Sequence, residues 1–277
     1  MQRIMAKRDI RKLRLLVLTD TTSEHLAVIN HCQNPAGFIK YTLTSSEFIN
    51  VTDVTPPAYY IAPRCDEELQ ILHVDDDLIV VNKPAFLYTV PGRGPENNDS
   101  VITRLQPDYP EAVIVHRLDL DTSGLLVVAR SERARQVLSQ QIRDREIQKT
   151  YQAVVWGIIE QDEGEINLPI GKDWENRPRC KIDYEEGKAS LTYFTVEQRN
   201  PDTHRTLVTL KPVTGRQHQL RLHLKSIGHP ILGCDLYAHD EALHAEPRLM
   251  LHACGLAFKH PEGHMVSWDV KNDWGLG

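Results

Sequence analysis

The sequence has few cysteines, and their spacing pairs none of them. Cys32, Cys65, Cys180, Cys234 and Cys254 are scattered, odd in number and include no CxxC pair. This excludes a disulfide framework and a zinc ribbon, and it fits reduced thiols in a cytoplasmic protein. No run of 18 apolar residues occurs, so no membrane span is expected. The basic N-terminus contains LRLLVL, which is too short for a secretory apolar core and has no small-residue cleavage site after it. GxGxxG, P-loop and GxSxG patterns are all missing, and Gly92-Arg93-Gly94 is too short to serve as a nucleotide loop. His252-Ala253-Cys254 and the pair His229 and Cys234 lack structural-zinc spacing, so no metal is expected. Internal repeats and low-complexity tracts are missing too.

What remains is an ordinary globular composition. The 277 residues are 41% hydrophobic and 25% charged, with a net charge of −6. That length can bury a sizeable core. The acidic balance argues weakly against a nucleic-acid partner, but a global average can hide a local basic face. Residues 1–66 read as an appendage to a domain at 67–277. Its first 14 residues carry Arg3, Lys7, Arg8, Arg11, Lys12 and Arg14 against the single acid Asp9, a pattern of a solvated tail rather than a dedicated RNA-binding arm. From residue 70 onward, ILHV and LIVVNK bracket Asp75-Asp76-Asp77 as a hairpin would. A short helix is predicted over 101–107, a longer one from Ser131, and a third over 216–226. Strands are predicted at AVIV (112–115), LLVVA (125–129), 151–156, 189–197 and 206–211. Many strands with few interposed helices point to an α+β fold with a mostly antiparallel sheet.

Between AVIV and LLVVA stands His116-Arg117-Leu118-Asp119-Leu120-Asp121-Thr122-Ser123-Gly124. An aspartate there is charged at neutral pH, and burying it costs several kcal/mol unless a cation pairs with it. Arg117 or a distant arginine could pair with Asp119; alternatively, Asp119 and Asp121 are turn residues bonding local amides. The window 203–229 contains no acid. It carries Arg205, Lys211, Arg216, Arg221 and Lys225 with four histidines. A helix starting near Arg216 would set Arg216, Leu220 and His223 on one face. A second basic stretch, Arg130 to Lys149, precedes Tyr151, which could stack on a base. An Asp119/Asp121 pair could also suggest a glycoside hydrolase, but residues two apart on a strand-turn rarely flank a substrate.

His116-Arg117-Leu118-Asp119 followed by Thr122-Ser123-Gly124-Leu125 closely resembles the HRLDxxTSGLL signature of the RluA-type pseudouridine synthases. Asn82-Lys83-Pro84, Lys149-Thr150-Tyr151 and Thr214 to Arg221 resemble that family's NKP, K-x-Y and TGRxHQLR motifs. Gly228 to Gly233 and Arg248 to Ala253 match as well, so the resemblance spans about 70–270. It implies a pseudouridine synthase fold: α+β, with a long mixed, mainly antiparallel sheet and a central RNA-binding cleft. It also implies isomerisation of uridine in RNA, by a monomer that uses neither metal nor organic cofactor. By motif position, Asp119 would be the catalytic aspartate, Arg216 its partner, and Tyr151 the residue packed against the target base. Leu220 would line the uracil pocket. Arg117 would fill the space that the target base vacates, with His116 beside it. LYTVPGR (87–93), DSVITRLQPDYPEA (99–112) and DWENRP (173–178) look most like members of dual specificity, which implies uridine 746 of 23S rRNA and uridine 32 of tRNA anticodon stem-loops as targets. Two features depart from the family. Leu-Gly-Asp is here Leu232-Gly233-Cys234-Asp235, and residues 1–66 do not resemble an S4 RNA-binding domain. A non-catalytic RNA-binding module keeping the fold is the rival reading.

Overall fold

The computed structural model describes residues 59–274 and 276. The chain divides into Met1–Pro63 and Arg64–Gly277, and all elements below belong to the second unit. The expectation of an appendage at 1–66 falls, up to residue 58, outside the described residues.

The centre of the fold is a sheet built from strands far apart in the chain. Strand β1 (Gln70–Val74) and β2 (Leu78–Lys83) form the expected hairpin. Then come helix α1 (Val101–Leu105), the short β3 (Val113–Ile114), β4 (Ser123–Ala129), helix α2 (Glu132–Asp144) and β5 (Gln148–Trp156). Next follow β6 (Glu163–Asn167), a separate hairpin of β7 (Ile170–Lys172) and β8 (Cys180–Ile182), and the long pair β9 (Leu191–Asn200) and β10 (Arg205–Pro212). Helices α3 (Gln219–Ser226) and α4 (Asp240–His244) precede β11 (Leu251–Lys259) and β12 (Met265–Asp269). The strand order is β1-β2-β4-β11-β5-β10-β9-β6, with β3 beside β4 and β12 beside β11. Among the pairings of these strands only β4 with β11 is parallel.

Strand β4 reads as a nearly continuous apolar run because both of its faces are covered. Leu126 and Val128 join Ile79 and Val81 in one core cluster, while Leu125, Val127 and Ala129 join Leu78, Val80 and Leu138 of α2 in another. The side chains alternate between faces with the strand period of two. The AVIV run behaves differently from its expectation. Only Val113 and Ile114 pair, against the last two residues of β4, and Val113 is exposed. The run is apolar and Ala112 is buried in a core cluster, but only two of its residues pair with the sheet.

Helix α2 starts where Ser131 accepts a hydrogen bond from the Ala134 N–H, and α1 where Ser100 and Thr103 form a capping box. Both starts match the sequence. Helix α3 begins three residues later than expected, because His218 takes a left-handed conformation at its N-cap (φ 56°).

One close approach explains a glycine. Gly124 has φ +116°, and a Cβ there would lie 2.3 Å from the Ala253 carbonyl oxygen of β11. Next to it, Ser123 Oγ donates to His252 Nδ1 (2.9 Å), and His252 Nε2 donates to the Val270 carbonyl (2.7 Å). Both ring nitrogens of His252 are thus committed to structure. Gly124→Ala would meet backbone, which cannot swing aside, and would carry the strain of a positive φ as well. The expected loss of stability is about 3 kcal/mol or more. Urea unfolding checks this; a midpoint like that of the parent chain would contradict the close approach.

Candidate active site

The segment from Val115 to Thr122 crosses from β3 to β4 as a pinned loop. Leu118 is buried in the same cluster as Leu126 and Val128. Its carbonyl accepts from Thr89 Oγ1 (2.9 Å), and its N–H donates to that same oxygen (3.2 Å). On the other side of Asp119, the Leu120 carbonyl accepts from the Phe86 N–H (2.9 Å) and from Lys83 Nζ (3.2 Å). Asp119 therefore sits between two fixed leucines. It is not sealed between the strands as the sequence suggests: its side chain is 34% exposed, at the floor of an open cleft of about 680 Å³.

Lys83, from the Asn-Lys-Pro stretch, is fully buried and also donates to the Pro84 and Leu87 carbonyls. Burial pulls its pKa down to about 7, against the opposing influence of Asp121. The unfolded chain keeps the usual 10.5, so between about pH 7 and 10.5 the unfolded state holds a proton that the folded state has released. Stability contributed by this residue then rises with pH across that window, by up to about 1.4 kcal/mol per unit. In Lys83→Met this slope is expected to vanish. Urea unfolding of both proteins from pH 7 to 9 checks it, and parallel stability curves would rule out a titrating Lys83.

The partner of Asp119 is Arg221, which corrects the expectation for Arg216. Arg221 is only 2% exposed; its Nη1 lies 3.9 Å from Asp119 and 3.8 Å from Asp121, and its Nη2 donates to Asp235 at 2.7 Å. Its Nε donates to Cys234 Sγ at 3.3 Å. Burial by itself would lower the guanidinium pKa, but Cys234 and the three carboxylates raise it. Arg216 lies outside α3, on the exposed rim of the cleft, with Nε directed at the Ala189 carbonyl (3.4 Å). The late helix start is the physical reason, since it moves Arg216 out of the helix and turns Arg221 inward. The predicted face of Arg216, Leu220 and His223 is lost for the same reason. His223 is buried elsewhere, against Thr192 Oγ1 and the Leu168 carbonyl.

Gln219 holds the turn before α3. Its Oε1 accepts from Thr214 Oγ1 and the Arg216 N–H, and its Nε2 donates to the Leu191 carbonyl and Thr192 Oγ1. His218 then reaches the site. Its Nε2 is 3.9 Å from Asp119 and its Nδ1 is 2.8 Å from the Tyr237 hydroxyl. Burial lowers its pKa against the pull of Asp119. At 3.9 Å neither His218 nor Arg221 hydrogen-bonds Asp119 directly, so these contacts are electrostatic and leave the carboxylate able to reach a substrate atom. Asp121 is pushed up, first by burial and then by Asp235 and Asp119.

The other expected residues meet here. Tyr151 lies between two core clusters, and Leu220, Arg117 and His116 line the cleft with it. Burial, and then Asp119, push the Tyr151 hydroxyl pKa up. The His116 Nε2 accepts from the Val127 N–H (3.2 Å), while its buried Nδ1 has no partner; burial and Lys149 hold the ring neutral. Arg143, Arg145 and Lys149 add to the positive wall, and Asp119 is the sole acid among the lining residues. The departure at Cys234-Asp235 is absorbed on Arg221, which contacts both. Lys83, His218 and Arg221 escaped the sequence reading as site residues, although each lies within a quoted motif. Among the described residues, His260, Glu262 and His264 bring possible metal ligands within 4.8 Å of one another; they lie on the β11–β12 turn and do not line the cleft.

Comparison with known proteins fits this geometry. The family model for RNA pseudouridylate synthases matches residues 77–226, over half of the chain. The chain belongs to the RNA pseudouridylate synthase family. It is 53% identical over 192 residues to the dual-specificity RNA pseudouridine synthase RluA of Yersinia pestis, covering 69% of this chain and 93% of that protein. It is 52% identical over 214 residues to the protein of that name from Escherichia coli (strain K12), covering 76% and 97%. The solved structure of human RNA pseudouridylate synthase domain containing 1 superposes with a TM-score of 0.66 at 29% identity, covering 76% of this chain and 86% of that one. As an RNA pseudouridylate synthase the chain is an isomerase that converts uridine to pseudouridine in RNA, and its α+β sheet is that of the family.

Proposed function

We propose that this synthase modifies uridine 746 of 23S rRNA and uridine 32 of tRNA anticodon stem-loops in the cytoplasm, with Asp119 as its catalytic carboxylate. The observation that carries the catalytic assignment is a single, partly exposed acid on the floor of a basic cleft, faced by a buried arginine. The target assignment is supported by relatives named as dual-specificity enzymes and by the three stretches quoted above.

The reaction breaks N1–C1′, turns the base, forms C5–C1′, and moves a proton from C5 to N1. The target base must first leave its stack, at a cost of a few kcal/mol. The cationic walls offset this by binding the backbone, and exposed Arg117 would occupy the vacated place. Tyr151 and Leu220 would hold the uracil. The raised pKa of the tyrosine keeps it a neutral phenol, which suits packing better than proton abstraction. Asp119 then either attacks covalently or removes a sugar proton to give a glycal. Arg221 faces the carboxylate in either route.

The test is pseudouridine mapping on both stem-loops after incubation with the purified full chain. Conversion of both targets is expected. Conversion of another uridine with both targets untouched would overturn the target assignment.

A further inference from the structure

The β7–β8 hairpin plays no part in the site described above, yet it holds the most conspicuous exposed aromatics of the described residues. Trp174, in the loop joining its strands, is 66% exposed, and Tyr184, just after β8, is 77% exposed. Two strands of three residues have no interior in which to bury an indole. Arg177 lies over the Trp174 ring at 4.2 Å, leaving most of the side chain open. From 172 to 181 the hairpin carries Lys172, Arg177, Arg179 and Lys181 against Asp173 and Glu175. The Asp173 carboxylate is occupied by the N–H and side-chain amide of Asn176.

The hairpin is also fixed to the rim of the cleft. Lys172 Nζ donates to Gln217 Oε1, and Gln217 Nε2 donates to the Pro178 carbonyl at 3.4 Å; Gln217 lines the cleft. At its base, Ile170 and Cys180 pack on Leu222 of α3, the residue after Arg221. The Cys180 N–H donates to the Tyr237 hydroxyl (2.8 Å), which also contacts His218. Two residues span at most about 7 Å, so the Trp174 backbone lies within that reach of Lys172, whose ammonium holds the cleft-lining Gln217.

An indole backed by a guanidinium, on a hairpin tied through Lys172 to the rim of an RNA cleft, has the chemistry of a stacking platform for an unpaired base. We propose that Trp174 stacks on an unpaired base flanking the target uridine, which makes the β7–β8 hairpin a second RNA-contact arm. The proposal rests on the chain's action on structured RNA and extends it to a residue outside the cleft.

The test uses the full chain with Trp174→Ala, Trp174→Phe and Tyr184→Ala, on whichever stem-loop the parent protein modifies. Tyr184 lies at the opposite end of the hairpin and serves as the control. Trp174→Ala is expected to raise KM and the RNA Kd about five- to hundredfold, with kcat at saturating RNA nearly unchanged. Trp174→Phe recovers most of the loss, and Tyr184→Ala behaves as the parent. Quenching of tryptophan fluorescence on RNA binding is expected to shrink in Trp174→Ala. Parent-like KM and undiminished quenching in Trp174→Ala would overturn the arm. A parent protein that converts no uridine in any RNA would instead overturn the functional reading, so the two failures are distinguishable.

Discussion

Asp119→Asn is expected to bind stem-loop RNA about as tightly as the parent chain and to form pseudouridine at least about a thousandfold more slowly. The asparagine keeps the shape of the side chain, so Leu118 and Leu120 stay pinned and the cleft stays open. It removes the charge that Arg221 faces and the oxygen that can attack or take a proton. Because the carboxylate is a lone acid among cations, its loss makes the cleft more positive and does not weaken phosphate binding. Tritium release from uridine-labelled RNA measures the rate, and filter binding measures the affinity. Activity within tenfold of the parent would remove Asp119 from the chemistry. Asp121→Asn serves as a second arm. Its side chain faces the same arginine but does not line the cleft, so its loss is expected to cost much less. Equal losses would revive a two-carboxylate mechanism.

The second large effect belongs to Arg221. Replacing it with methionine leaves Asp119, Asp121 and Asp235 crowded together without their shared cation. Breaking a fully buried ion pair from one side costs about 3–5 kcal/mol; the loss here is expected to fall below that range, because the three carboxylates left behind keep part of their contact with water. Both stability and turnover are expected to fall. Lysine is a poor substitute, since one ammonium cannot span three carboxylates as a planar guanidinium does. Arg216→Ala, on the exposed rim, is expected to weaken RNA binding modestly and leave the unfolding midpoint in place. Urea unfolding and single-turnover rates separate the two residues. A tolerated Arg221→Met beside an inactive Arg216→Ala would reverse the assignment.

That exchange of arginines marks where the sequence stops being legible. Both lie in the stretch from Thr214 to Arg221, and the motif resemblance pointed to Arg216. Which one turns inward depends on helical phase, and the phase is set by the left-handed backbone at His218. Spacing alone does not reveal that conformation. Strands β2 and β4 were legible because burial on both faces writes a continuous apolar run. AVIV carries the same signal, yet only two of its residues pair with the sheet, because an apolar run reports the preference of the residues and not the length of the partner. Strands β6, β7, β8 and β12 are short and mixed in polarity, so no period emerges from them. Lys83 was visible as part of a motif, but its work of holding three carbonyls depends on a loop that arrives 37 residues later. Cys234-Asp235 was visible as a departure; only the geometry shows that both residues contact Arg221.

The placement of β11 has a consequence for how the protein comes into being. It is among the last strands in the chain, yet it lies in the middle of the sheet, joining β4 to β5. Nearly every residue around the cleft precedes it, Leu251 being the exception. During vectorial synthesis the nascent polypeptide therefore carries its whole reactive constellation long before the two halves of the sheet can be sutured at Gly124 and Ala253. A fragment that ends before β11 is therefore expected to lack activity, because the strand that joins β4 to β5 is missing.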